Sequence, residues 1–162
     1  MNYVLDTGAL LSLAQSIYFE NILKENKLFT TKEVVEEIQD IAQYEDILGK
    51  AAQRILKKKQ CIQIKAPKEL LPLKIELAEL SIFSLGKEQK YFIITDDIHA
   101  ARIAKEKENL KSAPSFYLLI LLYKDKKISK ENLKKDIQNI MYKRNWFSGV
   151  LYEYAQDLIK NL

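Results

Sequence analysis

Tyr91-Phe92-Ile93-Ile94-Thr95-Asp96-Asp97 is the stretch on which the fold turns. It starts just past a lysine, stays apolar through Ile94, and ends on a threonine and two carboxylates. A short, unbroken apolar run with polar ends predicts a strand covered on both faces, as in a parallel sheet. The carboxylates then fall at the strand's carboxyl end, where open α/β sheets bind their ligands. Tyr3-Val4-Leu5-Asp6-Thr7-Gly8 repeats the design: an apolar run, an acid, a hydroxyl, a glycine.

Further strands are expected at Leu28-Phe29-Thr30 and Cys61-Ile62-Gln63-Ile64. Between them the apolar residues recur at helical spacing. One helix is expected over residues 9–24, from Leu10, Leu11, Leu13, Ala14, Ile17, Tyr18, Ile22 and Leu23. Others are expected after a Thr31 N-cap and over residues 44–59, 75–88, 97–107 and 114–122. A helix capped by Ser129 and a last one after Asn145-Trp146-Phe147-Ser148 complete the chain. Strands alternating with helices predict an α/β domain with a central, mostly parallel sheet.

Four acidic positions stand where predicted elements begin or end: Asp6, Glu37, Glu79 and Asp96/Asp97. Each has an ordinary explanation. Asp6 and Asp96/Asp97 suit helix N-caps; Glu37, late in its helix, is disfavoured by the dipole and would face solvent. Glu79 is nearly encircled by Leu77, Leu80, Ile82, Phe83 and Leu85, so it needs a partner or a cation. A doubled aspartate is more than a cap requires. Together the four would make a pocket of mutually repelling carboxylates, stable beside a hard divalent cation. Such an ion orients water and offsets charge on a phosphate, which bare carboxylates would repel.

Composition removes several other chemistries. The chain has 162 residues, 48% hydrophobic and 30% charged, which suits one globular domain. No apolar stretch approaches the roughly 20 residues of a membrane helix, and no signal peptide opens the chain, so a cytoplasmic protein with no membrane partner is expected. Cys61 and His99 are the only residues of their types. That excludes an internal disulfide and leaves too few Cys and His ligands for a structural zinc site. No nucleophile elbow accompanies His99, and no Gly-x-Gly-x-x-Gly motif occurs. An aspartyl phosphatase would need an acid at position 8, where Gly8 stands. The net charge of +4 is compatible with a polyanionic partner. Lys57-Lys58-Lys59, Lys124 to Lys127, Lys134-Lys135 and Lys143-Arg144 read as solvated faces and loop ends. Cys61 is expected buried in a strand, His99 on an exposed first helical turn, and Trp146 and Phe147 as core anchors of the terminal helix.

The order and context of the acids resemble the PIN-domain ribonuclease superfamily. Val4-Leu5-Asp6-Thr7 matches its first strand, and Thr31-Lys32-Glu33-Val34-Val35-Glu36-Glu37 its Thr-x-x-Val-x-x-Glu helix. Glu79-Leu80-Ser81-Ile82-Phe83-Ser84-Leu85 and Ile93-Ile94-Thr95-Asp96-Asp97 are similar to its third and fourth acidic segments, with Ala101-Arg102-Ile103-Ala104 following. Two departures stand out: Ala78 replaces a glycine, and Glu79 an aspartate that many members carry. The resemblance implies a three-layer α/β/α domain over residues 1–125, with residues 126–162 as a helical extension packed on it. It implies hydrolysis of RNA by water, with Mg²⁺ or Mn²⁺ held by Asp6 and Asp97 and its waters positioned by Glu37 and Glu79. Asp96 and Asp97 both remain candidate ligands, Asp97 ahead; Glu79 is a third. Thr7, Thr95 and Arg102 are the implied substrate contacts. A homodimer, and either an antitoxin partner or an RNA-processing role, fall within what the resemblance implies. The alternative is a non-catalytic PIN-like module that binds RNA or protein.

Overall fold

Val4 pairs with Ile93, and Leu5 with Ile94, at the centre of a five-stranded sheet. All four side chains are almost wholly buried. In a computed structural model, which describes residues 1–161, the strands are β1 (Asn2–Leu5), β2 (Lys27–Thr30), β3 (Ile62–Ile64), β4 (Phe92–Ile94) and β5 (Ser112–Ala113). Every pairing is parallel, in the order β3-β2-β1-β4-β5. The chain builds outward from β1 to β3, then returns to the far side of β1 with β4. The switch in strand order therefore lies between β1 and β4. Because both run the same way, Asp6 and Asp96 emerge side by side from one edge.

Among the described residues the helices are α1 (Thr7–Leu13), α2 (Phe19–Glu25), α3 (Lys32–Ile41), α4 (Ile47–Lys57), α5 (Leu77–Gln89), α6 (Ile98–Glu108), α7 (Phe116–Lys124), α8 (Lys130–Lys143) and α9 (Val150–Asn161). They flank the sheet in an α/β/α arrangement, and none is long and apolar enough to cross a membrane. Helix α5 packs on β1 and β4 and against α3. Residues 81–86 are buried on every side, as expected of a helix with no solvent face. Its Ser81 and Ser84 are satisfied inside that packing: Ser81 by Thr31, at 2.7 Å, and the Ala78 carbonyl, Ser84 by the Leu80 carbonyl. One hydrophobic cluster runs from the strands through Phe116, Leu118 and Leu122 into Leu133, Ile137, Ile140 and Ala155.

Several local expectations change. The single helix over residues 9–24 is broken into α1 and α2 by a turn at Ala14–Tyr18. Distant side chains satisfy the broken backbone. Asp136 of α8 accepts from the Ser16 hydroxyl and, at 3.0 Å, from the Ile17 amide. Arg54 of α4 donates to the Ala14 and Ser16 carbonyls at 2.9 and 2.8 Å. Such long-range bonds override local periodicity. Thr31 precedes α3 but makes no side-chain cap bond, since its hydroxyl pairs with Ser81. Cys61 ends a short 3₁₀ turn rather than lying in β3, and is exposed. Trp146 stands edge-on to Phe116, whereas Phe147 is exposed and anchors no core.

Candidate active site

The first strand delivers Asp6 to the switch point, and helix capping holds it there. Its Oδ1 accepts from the Ala9 amide at 2.7 Å, and its Oδ2 from the Thr95 hydroxyl. The carboxylate is fully buried and its pKa is pushed up to about 7, first by burial and then by repulsion from Asp96 and Glu79; the two hydrogen bonds pull the other way.

Asp96 follows β4 directly and is also buried. Its Oδ2 accepts from Ser12 at 2.6 Å and its Oδ1 from the Ser115 amide at 2.8 Å. Burial raises its pKa as well, against those hydrogen bonds and the nearby Arg144 guanidinium. Asp97, one residue on, is exposed and caps α6 through the Ala100 amide at 2.8 Å. Its own amide donates to the Thr95 hydroxyl at 3.0 Å. Thr95 therefore ties Asp6 to Asp97. Gly8 fits between the first two acids: a Cβ there would lie 3.6 Å from Asp6 Oδ1 and 3.8 Å from Asp96 Cβ.

Glu79 enters from the first turn of α5, half-buried, and its Oε2 is a buried oxygen with no hydrogen-bond partner. Its pKa is raised by burial first, with Glu37, Asp97 and Glu76 adding repulsion. Glu37 lies on α3 and accepts from the Thr7 hydroxyl. Glu37 sits in the middle of α3 rather than late in it, so the helix dipole bears little on it, and it is half-buried with a specific partner instead of facing solvent alone. The two threonines expected to touch substrate spend their hydroxyls on Glu37 and Asp6.

A cleft of about 400 Å³ opens on this group, lined by Asp6, Gly8, Glu79, Asp96, Asp97 and Ile98 from the sheet edge. Arg144, Trp146 and Leu151 line its other side. Arg102 is not among these residues; it lines a separate cleft with Phe92 and Lys105, its guanidinium beside the exposed His99 ring. Sequence reasoning passed over Ser12, Ser115 and Arg144. Ser12 and Ser115 lack any local signal, and Arg144 looked like one more cation at a helix end.

Among the described residues, no three acidic, histidine or cysteine side chains form a ready-made cage for an ion. The set instead fits a hydrated hard cation, which needs only one or two protein carboxylates and keeps several waters. Glu79 Oε2, buried and unpartnered, is the atom most in need of such a partner.

A family model described as "DUF3368: PIN domain" matches residues 2–161. The chain is similar in structure to a PilT N-terminus domain protein from the hyperthermophilic archaeon Sulfolobus solfataricus P2, with 16% identity and a TM-score of 0.46. That alignment covers 74% of this chain and 92% of the other. No curated protein matches the chain.

Proposed function

This chain belongs to the PIN-domain family, and on that premise we propose that it is a metal-dependent ribonuclease hydrolysing RNA phosphodiester bonds. PIN domains are in general nucleases that use divalent metals. The observation that carries the proposal is Asp6. It is fully buried, faces two other carboxylates, holds its proton up to about pH 7 and makes no ion pair among the described residues. A carboxylate kept under such repulsion at a strand's end is better explained by a cation-assisted site than by capping alone.

Asp6 and Asp97 would hold Mg²⁺ or Mn²⁺, with Asp96 behind them, fixed by Ser12 and Ser115, and Glu79 reaching the ion through its waters. When bound, the ion would supply an oriented, more acidic water and offset charge on the phosphate. The chain's own part is orientation. Thr95 and the Ala9 amide fix both Asp6 oxygens, and Thr7 fixes one oxygen of Glu37. Glu79 Oε2, free of any hydrogen bond, is the group we assign to take a proton from the attacking water. That water's oxygen bonds to phosphorus as the opposite P–O ester bond breaks, and a solvent proton completes the leaving hydroxyl. We divide the chain by role: residues 1–125 supply the carboxylates, and 126–162 close the cleft. A toxin or an RNA-processing enzyme, a cytoplasmic setting and a homodimer all fit this reading.

The second reading, a non-catalytic RNA- or protein-binding module, draws on the lack of a ready-made ion cage among the described residues. Cleavage of single-stranded RNA with Mn²⁺ or Mg²⁺, comparing wild type with Asp6→Asn, separates the two. The ribonuclease reading expects metal-dependent cleavage that Asp6→Asn abolishes. RNA binding with no cleavage under either metal would establish the module instead.

A further inference from the structure

We propose that Arg144, on the C-terminal helices, binds the scissile phosphate of the RNA. The inference rests on the ribonuclease reading and adds a substrate-binding residue outside the four acidic segments.

The local fold fixes this side chain. Arg144 is the C-cap of α8, its amide bonded to the Ile140 carbonyl at 2.8 Å. Asn145 then adopts a left-handed conformation with φ of 57°. Its amide returns to the Tyr142 carbonyl at 3.1 Å, and the Trp146 amide to the Met141 carbonyl at 2.9 Å. This pair of bonds is a Schellman motif, which sets the direction in which the chain leaves the helix. Trp146 is locked by its edge-on contact with Phe116, ring centroids 6.0 Å apart, and the Arg144 guanidinium lies 5.1 Å from the Trp146 ring centre. The guanidinium is thus stacked on a braced ring at the wall of the acidic cleft.

What it fails to do there is informative. It senses Asp96 and Asp6 electrostatically, yet among the described residues it makes no ion pair. Its Nε–H is buried with no hydrogen-bond partner. An arginine serving as counter-ion would close onto a carboxylate and satisfy its donors. One held half-buried with a free donor instead costs stability unless a ligand completes it. The ligand must be anionic, must tolerate carboxylates nearby, and must match a planar fork of donors. A phosphodiester bridging the acid side and Arg144 meets all three requirements. The other two arginines are differently engaged: Arg54 holds the turn at Ala14–Tyr18, and Arg102 lines another cleft.

The test compares Arg144→Gln, Arg144→Lys and, as a charge control on an exposed part of α8, Lys130→Gln. Each variant is first matched to wild type by circular dichroism and melting temperature. With Mn²⁺ and a short end-labelled single-stranded RNA, Arg144→Gln should lower kcat/KM by about 10²–10³-fold, the loss typical of one well-aimed donor. Arg144→Lys should recover part of that, lacking the fork, and Lys130→Gln should match wild type. Mn²⁺ affinity, read by electron paramagnetic resonance, should change by no more than about twofold for Arg144→Gln on the same argument from missing ion pairs. Wild-type cleavage by Arg144→Gln would overturn the proposal. So would much tighter Mn²⁺ binding with faster cleavage at low metal, because Arg144 would then be a counter-ion that metal displaces. If wild type cleaves nothing, the ribonuclease reading fails by itself, and the phosphate contact is read from RNA anisotropy in EDTA. Weaker binding by Arg144→Gln than by Lys130→Gln supports the contact; equal binding overturns it.

Discussion

Replacing Asp6 by asparagine should stabilise the metal-free protein, and more so as pH rises. Asp6 has its folded pKa raised from 3.8 to about 7, so between those values the folded state holds a proton that the unfolded chain releases. Linkage then requires stability to fall as pH climbs through that window: the contribution is intact below pH 3.8 and lost above about 7. Three pH units at about 1.4 kcal/mol each amount to about 4 kcal/mol at pH 8, of which under half is already felt at pH 5. Asparagine keeps the size and one acceptor for the Ala9 amide, but makes Thr95 turn its hydroxyl round to accept, a cost of about 1 kcal/mol that does not vary with pH. The pH-dependent part survives this correction. The stability gap between Asp6→Asn and wild type should widen by about 2–3 kcal/mol from pH 5 to pH 8. At this chain length that is roughly 5–10 °C in melting temperature. Asp96 shares the effect, since removing one charge of the pair relieves the other. Thermal unfolding in EDTA across pH 5–8 reads it directly. A gap that stays flat, or closes as pH rises, would mean that Asp6 is ionised at no cost and that the argument from burial and repulsion is unsound.

Asp136→Ala removes both acceptors that hold the turn between α1 and α2, and should destabilise by about 2–4 kcal/mol in urea unfolding. Metal-dependent cleavage per folded molecule should stay unchanged, because Asp136 lies outside the acidic cleft. Gly86→Ala on α5 would set a Cβ 2.5 Å from Ile93 Cγ1 and 3.3 Å from Val4 Cγ1, overpacking the sheet's centre. A loss of about 1–3 kcal/mol in the same assay is expected.

The parts of the fold readable in the sequence are those whose cause is local. Val4-Leu5 and Ile93-Ile94 are apolar because they fill the middle of a parallel sheet, and their flanking acids mark the strand ends. Ser129 caps α8 as its position suggests, accepting from the Asn132 amide at 3.1 Å. Other features depend on residues far away in the chain. β5 is only Ser112–Ala113, too short and too polar to announce itself, and exists because β4 offers an edge. The break at Ala14–Tyr18 needs Asp136 and Arg54, more than 35 positions downstream of it. Arg144 is the same kind of case at the site. Beside Lys143 at a helix end it reads as solvated charge, and only the Schellman turn and Trp146 show that it faces the acids.

The acidic residues also belong to the structure that holds them. Asp6 caps α1, Asp97 caps α6, and Asp96 fixes Ser12 and the amide of Ser115 at the entry to α7. Each cap gives one carboxylate oxygen a fixed amide partner, and the partial positive charge at a helix N-terminus favours the ionised form. These bonds offset part of the repulsion between the carboxylates, which is how buried acids are kept together in a folded chain without a neutralising ion pair. The offset is incomplete: burial first, and neighbouring carboxylates after it, still raise the proton affinity of Asp6 and Glu79, and burial raises that of Asp96. What remains is an attraction for positive charge, confined to the edge where β1 and β4 diverge. Capping and cation attraction therefore have to be separated by the choice of substitution. Alanine removes the cap along with the charge, whereas asparagine keeps the cap and removes the charge, at the cost in Asp6→Asn of reversing the Thr95 hydrogen bond. A loss of activity in asparagine variants that fold as well as wild type is thus attributable to the missing charge, and the same loss in alanine variants is not.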